Sequence, residues 1–347
     1  MNETTGTPLI SVILVCYNSS EWLSKCLESL RAQSFFNRSE LIVVDNASAD
    51  GSEGLARRLT AGWPRVNILQ TECNLGFSAN NRGAEIAGGE YLYLLNPDTW
   101  LEPDCLEQLY RAVQKQHADG AGSTVLEYEG QTLQAKGSHG FDVFGNPVSP
   151  RANRDPEPLF CIAGFYFIRR DVFMRLGMLD EKFFMYGEEM DLSWRIWLSG
   201  GRIIYAAGAK CHHRGAVSVN PAGGTKAVEN RTSVQKRFLA NRNCLLVLAK
   251  NCQHILLLLL FPCAALILAE GLATLLMTHS WSVFHGTCLR PFLDLWGLRA
   301  HIQGERRRIK ALRRRSDFWM LRFLRPGFGR RQELVEVLKG GFPKINR

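Results

Sequence analysis

The chain has 347 residues, 42 of them Lys or Arg and 33 Asp or Glu, for a formal charge of +9. Apolar residues make up 46% and charged residues 22%, which excludes intrinsic disorder, a collagen-like repeat and a disulfide-stapled miniprotein. The length allows one large α/β domain with an appendage, or two modest domains.

The strand and helix signals alternate from the start. Residues 9–16 are apolar and rich in β-branched side chains, which predicts a buried parallel strand, and Ser19 or Ser20 can cap the next helix. Trp22, Leu23, Cys26, Leu27 and Leu30 recur at helical spacing. A second strand is predicted over Leu41–Val44, ending at Asp45-Asn46, with Ser48 or Asp50 capping a helix over 51–61. Val66–Leu69 reads as a third strand, 78–88 as a helix, and Tyr91–Leu95 as a fourth strand ending at Asn96-Pro97-Asp98, with Pro103 opening another helix. This alternation predicts an open parallel sheet with helices on both faces, whose ligands bind outside the carboxyl ends of the strands. Those ends carry Tyr17, Asp45 and Asp98.

Residues 127–158 are rich in Gly, Pro and Asn and read as a loop region over the site. Strand-like Phe160–Ile168 resumes the core, a helix opens near Glu188, and a strand at Arg202–Ala206 leads to His212-His213. From about residue 230 the pattern is helical, with fifteen consecutive apolar residues at Ile255–Ala269. A spanning helix needs about 20 apolar residues. Pro262 and Glu270 interrupt this run, so a membrane-embedded or interfacial hairpin, a true span and a buried core or dimer helix all stay open.

The charge is uneven. Residues 299–347 hold 15 basic and 4 acidic side chains, whereas residues 1–298 hold 27 and 29. A near-neutral body with a basic tail suits polyanions, and aromatic residues interleaved with the arginines favour an anionic membrane over nucleic acid. The ten cysteines form no Cys-x-x-Cys pair, which argues against a zinc ribbon or redox motif and fits a reducing compartment. The N-terminus lacks the basic start and apolar core of a signal peptide.

Several segments carry possible chemistry. Asp45 in LIVVDNASADGS can accept a hydrogen from a nucleobase, with Tyr17 beside it, although a turn and helix cap is the competing reading. NLGFSANNRG (74–83) can approach phosphates through its backbone, and Arg82 adds a guanidinium. LLNPDT (94–99) delivers Asn96 and Asp98 together, and one carboxylate suffices for Mg²⁺ when a diphosphate supplies the other oxygens. FFMYGEEMDLSWRIW (183–197) places Glu188, Glu189 and Asp191 at the start of a largely buried helix, where a carboxylate can act as general base toward a hydroxyl or simply complement the helix dipole. His212 and His213 at a strand end can supply a nitrogen ligand or contact a phosphate.

SVILVCYN, VVDNASADGS, NLGFSANNRG, LLNPDT, the GEEMDL helix and HHRG stand in this order over residues 8–218. In this the chain resembles family 2 glycosyltransferases of the GT-A fold, in particular the rhamnosyltransferase-like branch of bacterial polysaccharide and O-antigen biosynthesis. The resemblance implies a catalytic domain over 1–225 and a helical C-terminal region over 226–347, with an apolar segment at 255–278 and the Arg-rich tail at 299–347. It implies donor-binding roles for Tyr17, Asp45, Asn74, Asn81, Arg82 and Asn96. It implies Mg²⁺ or Mn²⁺ on Asp98 and His213, with His212 as the alternative, and Glu189 as base with Glu188 and Asp191 beside it. The implied reaction is inverting transfer of a sugar, dTDP-rhamnose being the first expectation, to a glycan or polyprenyl-diphosphate-linked acceptor at the cytoplasmic face of the membrane. Another nucleotide-sugar enzyme, such as a UDP-hexose transferase or a nucleotidyltransferase, and a non-catalytic membrane scaffold are the rival readings.

Overall fold

The computed structural model describes residues 6–149, 158–215, 231–330 and 344–346. The expected domain boundary at 225–226, parts of the 127–158 loop and residues 331–343 of the basic tail lie outside them.

Strands β1 (Ile10–Cys16), β2 (Ser39–Asp45), β3 (Val66–Gln70) and β4 (Tyr91–Leu95) pair in parallel in the spatial order 3-2-1-4. Between them run α1 (Ser20–Arg31), α2 (Ser52–Leu59) and α3 (Asn80–Ile86). Leu23, Cys26, Leu27 and Leu30 of α1 are all buried, as their spacing predicts. Asp50 serves both α1 and α2, accepting the backbone N–H groups of Ser20 (2.9 Å) and Ser52 (3.0 Å). Burial opposes ionisation of this carboxyl, but the bonds from Ser52 and Ser20 lower its pKa to about 2.

Beyond β4 the sheet departs from the expected all-parallel form. Short β5 (Thr99–Leu101) leads to α4 (Cys105–Gln116) and β6 (Gly120–Glu127), on which β7 (Leu133–Ala135) pairs antiparallel. β8 (Gly140–Phe141) and β9 (Pro147–Val148) make a small separate ribbon. β10 (Tyr166–Arg169) is wedged antiparallel between β4 and β6, and β11 (Ile203–His213) runs parallel to β6 and antiparallel to β5. The sheet is therefore mixed. The periodicity of residues 120–127 went unrecognised because GAGSTVLE is fully buried on both faces apart from its last residue and shows little alternation.

After α5 (Arg170–Arg175) and α6 (Glu188–Leu198) come the C-terminal helices α7 (Val234–Asn251), α8 (His254–Leu257), α9 (Leu260–Thr278), α10 (Trp281–Phe284), α11 (Arg290–Gly297), α12 (Arg299–Leu312) and α13 (Asp317–Met320). They do not form a separate core. Leu245, Leu248, Cys263, Ile267, Ile309 and Phe323 share one apolar cluster with Ile13, Leu94, Phe160 and Trp194 of the sheet and α6. All ten cysteines are unpaired, and eight of them are buried.

Several arginines of the basic tail turn inward to helix ends. Arg306 donates to the carbonyls of Ala249 (2.5 Å) and Cys252 (2.8 Å), and Arg313 to that of Asn251, so the two satisfy the C-terminal end of α7. Arg315 does the same beyond α6, through the carbonyls of Gly200 (2.9 Å) and Gly201 (2.7 Å). Cations at helix C-termini complement the helix dipole as well.

α6 is fixed to α7 by buried charge. Lys250, fully buried, pairs with Asp180 and with Asp191 (3.1 Å), and Glu305 of α12 lies 3.7 Å away. Asp191 also pairs with Arg195 (2.8 Å) and accepts from Asn251 (2.8 Å). Burial opposes ionisation of both Asp180 and Asp191, but Lys250 beside the first and Arg195 with Lys250 beside the second hold both carboxyls below the usual range. Lys250→Met strips Asp180 of its buried ammonium and leaves Asp191 to Arg195 alone, and is expected to cost about 3–5 kcal/mol. Adding Asp180→Asn should restore part of that loss in urea denaturation; equal stability of wild type and Lys250→Met would remove the network from this role.

Candidate functional site

The carboxyl ends of β1, β2 and β4 open on one side, and the loops leaving them are tied to each other. Asn18 takes a left-handed conformation (φ 48°), its N–H donating to Ser48 Oγ (3.0 Å) and its Oδ1 accepting from Ala49 N–H (2.8 Å). Tyr17 is half-exposed at this rim, and Ser19 Oγ accepts its N–H (3.0 Å) instead of capping α1. Asp45 is buried, with Oδ2 accepting from Ser48 N–H (3.2 Å) and Oδ1 lacking any hydrogen-bond partner. A buried, unsatisfied carboxylate oxygen costs free energy that a donor from a ligand would recover.

Asn46, which sequence reasoning passed over, organises the next loop. Its Nδ2 donates to Asn74 Oδ1 (2.9 Å) and the Gly76 carbonyl (3.1 Å), and its Oδ1 accepts from Leu75 N–H (2.9 Å). Asn74 Oδ1 also accepts from Gly76 N–H (2.8 Å). Gly76 sits at φ 64° directly against residue 184, and a Cβ there would collide with the Phe184 carbonyl. Asn81 closes a ring with the Leu179 backbone, donating to its carbonyl (2.8 Å) and accepting its N–H (3.0 Å). Arg82 is paired on the surface with Glu85 (3.2 Å) and Glu181 (3.7 Å). Asn81 thus joins the 74–83 segment to the 179–187 loop, and Arg82 lies among surface carboxylates. Asn96 is half-buried, and its carbonyl accepts a long bond from Cys26 Sγ (3.9 Å).

The β4–β5 turn carries Asp98, and β11 brings His213 to it. The register pairs His213 with Thr99 and His212 with Trp100, so strand alternation sends the two rings to opposite faces. His213 Nε2 faces Asp98 Oδ2 at 3.4 Å. His212, by contrast, is buried, stacks on Trp100 (centroids 3.6 Å apart) and bonds the Glu127 carbonyl through Nδ1 (3.0 Å). The alternative placement of the ligand on His212 is therefore corrected: its ring lies away from Asp98.

The tautomer of His213 is set by its neighbour. Gln134 Nε2 donates to the His213 carbonyl (3.0 Å), which turns Gln134 Oε1 toward Nδ1 at 2.8 Å. An oxygen acceptor there requires the proton on Nδ1 and leaves a lone pair on Nε2, facing a carboxylate oxygen. Two electron-rich atoms opposed in this way fit a divalent cation, with the outer partner orienting the imidazole. Among the described residues no group of three or more His, Cys, Asp or Glu gathers as a metal cage, so the remaining positions would fall to a ligand.

The acid cluster sits at the start of α6. The preceding loop is left-handed at Phe184 (φ 63°), Tyr186 (φ 69°) and Gly187 (φ 88°), a conformation that costs non-glycine residues about 1–3 kcal/mol each. Asn243 and Arg242 of α7, absent from the sequence reading, hold it. Asn243 Nδ2 donates to the carbonyls of Phe183 (3.0 Å), Met185 (2.8 Å) and Tyr186 (2.5 Å), and Arg242 to those of Lys182 (2.6 Å) and Phe183 (3.1 Å). The cue in the sequence is an Asn-Arg-Asn run just before the apolar stretch Cys244–Ala249 of the helix.

Glu188 is buried and its Oε2 lacks a partner; burial, with Glu189 and Asp191 nearby, pushes its pKa well up. Burial also raises the pKa of Glu189, against the bond its Oε2 accepts from Gly187 N–H (3.0 Å). Asp191 is locked between Arg195 and Lys250 with no exposed surface, and it holds α6 in place.

Adjacent residues link the two polar clusters. Phe165 packs edge-on against the His213 ring (5.1 Å), and Tyr166 donates through its hydroxyl to the Glu189 carbonyl. Phe165 and Tyr166 are adjacent at the start of β10 but belong to the two apolar clusters on opposite faces of the sheet, so this link runs through the sheet: one side chain braces the His213 ring and the other the Glu189 backbone.

With this geometry in view, the sequence model of glycosyl transferase family 2 matches residues 11–177. The match stops before the Glu188–Glu189 helix. A putative glycosyltransferase EpsH of Bacillus subtilis is 38% identical over 106 residues, covering 30% of each chain. The chain thus spans well under half the length of that relative. An N-acetylglucosaminyl-diphospho-decaprenol L-rhamnosyltransferase of Mycobacterium tuberculosis is 28% identical over 272 residues, 68% of this chain and 86% of the relative. Among solved structures, S. aureus TarS 1–349 in complex with UDP aligns with a TM-score of 0.55 at 15% identity, covering 88% of both chains. GalNAc-T7 with UDP, GalNAc and Mn²⁺ aligns at 0.56 and 17% identity, covering 71% of this chain and 48% of that one. At these identities the likeness establishes the GT-A type of fold.

Two substitutions test the loop geometry. Gly76→Ala meets the Phe184 carbonyl from a positive-φ position and is expected to cost about 2 kcal/mol or more. Asn243→Ala removes the side-chain donor from the carbonyls of Met185 and Tyr186, while Phe183 keeps Arg242, and is expected to cost about 1–3 kcal/mol. Thermal unfolding of both variants reads this directly; melting temperatures unchanged from wild type would show that the loop is held otherwise.

Proposed function

We propose that the protein is an inverting glycosyltransferase that moves a sugar from a nucleoside diphosphate donor to a hydroxyl of a glycan or lipid-linked glycan. The observation that carries this is the Asp98–His213 pair at the strand ends, where a carboxylate oxygen faces an imidazole nitrogen at 3.4 Å. Asp45, with its unpartnered Oδ1 beside Tyr17, takes the base, and the backbone of the 74–79 loop approaches the diphosphate. Asp98 and His213 would hold Mg²⁺ or Mn²⁺, which when bound offsets the charge developing on the leaving diphosphate.

Glu189 accepts the proton of the acceptor hydroxyl as that oxygen forms its bond to the anomeric carbon. The bond from that carbon to the nucleoside diphosphate breaks on the opposite side, so the configuration inverts in one displacement. Burial supports this role: a carboxylate whose pKa is raised is a stronger base near neutral pH. Glu188, its neighbour, is pushed well up by burial and by the Glu189 charge, so the pair holds a proton on Glu188 while Glu189 ionises.

The M. tuberculosis relative's name describes rhamnosyl transfer to a diphospho-decaprenol-linked sugar. For this chain we take dTDP-rhamnose as the first donor to test and a polyprenyl-diphosphate-linked acceptor as the class. The helical stretch His254–Thr278 has a mean hydropathy of 2.5 and is long enough to cross a bilayer by length and composition. Yet Cys263, Ile267, Gly271 and Thr274 bury one face of it, while Phe261, Leu268, Leu272 and Leu276 are exposed on another. This pattern favours a helix lying along the cytoplasmic membrane surface, its apolar face toward the acyl chains.

Donor binding and turnover test the reading. dTDP-rhamnose, UDP-glucose, UDP-galactose, UDP-N-acetylglucosamine and GDP-mannose, each with Mg²⁺ or EDTA, are presented to wild type, Asp98→Ala and Glu189→Gln. One donor should bind only with the cation; Asp98→Ala should lose that binding, and Glu189→Gln should keep it while turnover falls by about 100-fold or more. If no donor binds under any condition, the transferase reading is lost and a scaffold takes its place.

The pH profile gives an independent check. Glu189 must be ionised to act, so with its pKa raised, activity falls as pH drops through a value above the ordinary glutamate pKa of about 4.3. Glu188→Gln replaces one neutral group by another and should leave that acid limb in place. An acid limb at the ordinary value in wild type would deny Glu189 its place as the base.

A further inference from the structure

A cavity of about 430 Å³ lies at the other end of the β6–β11 pair from His213, walled by Trp197, Arg202, Tyr205, Arg315, Trp319 and Arg322. Tyr205 pairs with Gly122 and His213 with Glu127, so the two regions are separated by five residues of β6, about 16 Å along the sheet. The cavity is thus outside the transfer site.

Its charge is one-sided. The guanidiniums of Arg315 and Arg322 each lie 4.0 Å from the Trp319 ring centroid, bracketing the indole. Arg315 reaches carbonyls beyond α6, and Arg202 reaches Gln116 through its carbonyl (3.4 Å) and Oε1 (3.0 Å). Among the described residues no carboxylate pairs with the side chains of Arg315, Arg322 or Arg202. The nearest acid, Asp119, is turned to the Arg202 backbone N–H (3.0 Å) and toward Arg169 (3.8 Å). Burial and the neighbouring Arg322 both lower the pKa of Arg315, a repulsion that a bound anion relieves.

The cavity also borders the apolar face. α13 carries Trp319 on the cavity wall, and its neighbour Phe318 is 67% exposed. Asp317 of the same helix accepts the N–H groups of Gln253 (2.8 Å) and Leu256 (3.3 Å), which fixes α13 against the start of α8. From there the exposed apolar side chains run on through Ile255, Leu258 and Phe261. Arginines on an aromatic, next to a surface suited to acyl chains, stand where lipid phosphates stand relative to their tails.

We propose that the Arg202–Arg315–Arg322 cavity is a phosphate site filled by the headgroup of an anionic membrane lipid. It gives the apolar face a preference for anionic bilayers and a fixed rotational setting on them. The proposal rests on the reading of α8–α9 as a membrane-facing surface, and the experiment separates the two.

The full-length chain is sedimented with vesicles of phosphatidylcholine alone and of phosphatidylcholine containing about a third phosphatidylglycerol. Wild type is expected to bind the anionic vesicles at least about fivefold more tightly, the scale of one surface cation. Arg322→Glu and Trp319→Leu should each reduce that preference while leaving binding to the neutral vesicles in place. Arg57→Glu, the same charge change on exposed α2, should keep it. Leu272→Glu with Leu276→Glu should weaken binding to both vesicles; if it does not, the membrane-facing reading fails first. If Arg322→Glu and Trp319→Leu keep the wild-type preference, the headgroup site is refuted. If inorganic phosphate raises the melting temperature of wild type but not of Arg322→Glu, while the lipid preference survives that change, the cavity takes a soluble phosphate and the lipid assignment is overturned.

Discussion

Lys250 places an ammonium out of water between Asp180 and Asp191, with Glu305 of α12 behind it. A lone ammonium at that depth would give up its proton, and two lone carboxylates there would take one up. The charges are therefore stable only together, and they come from the loop before α6, from α6 itself, from α7 and from α12. No part of this set can settle without the others. The family 2 match ends at residue 177, before any of these groups, yet the acids of α6 are oriented by them. The C-terminal helices thus belong to the same folding unit as the sheet in an energetic sense, which their shared apolar cluster also expresses.

The same dependence governs the loop that delivers Glu188 and Glu189. Three consecutive or near-consecutive left-handed residues would not persist on local preference alone. Five bonds from Asn243 and Arg242 hold its carbonyls, and Arg242 is braced in turn by Asp294 of α11 (3.0 Å). On the other side the loop presses on Gly76, where only the missing side chain lets the two backbones meet. The chain segments expected to hold the donor and the acceptor are in this way one mechanical piece.

Local pattern made part of this legible in the sequence. The first four strands, their helices and the strand-end positions of Tyr17, Asp45 and Asp98 are dictated by apolar runs broken by turn chemistry. The mixed half of the sheet was not legible, because β6 is buried on both faces and β10 is a four-residue strand inserted by long-range pairing. The difference between His212 and His213 was not legible without the β5–β11 register, since one residue of alternation decides which ring meets Asp98. The structural role of Asp191 was not legible because its counter-ion Lys250 lies 59 positions away in sequence, in a helix with no pattern linking it to α6.

Net charge was the least reliable guide to partners. The basic tail reads as a solvated polycation, but Arg306, Arg313 and Arg315 are taken up by helix-end carbonyls that would otherwise be unsatisfied. The capacity left for an outside partner is set by position and not by count. α9 turns Phe261, Leu268, Leu272 and Leu276 outward while Glu270, the one acid in the apolar run, is drawn inward to Arg330 (2.6 Å). α7 lies behind this helix, with Cys244 Sγ 3.5 Å from Cys263 Sγ, and from the neighbouring position Asn243 reaches the loop that ends at Glu188. The helix that positions the acids is therefore the one on which the apolar face is mounted, and the distance and tilt of the active site relative to that face are fixed by packing rather than by a linker.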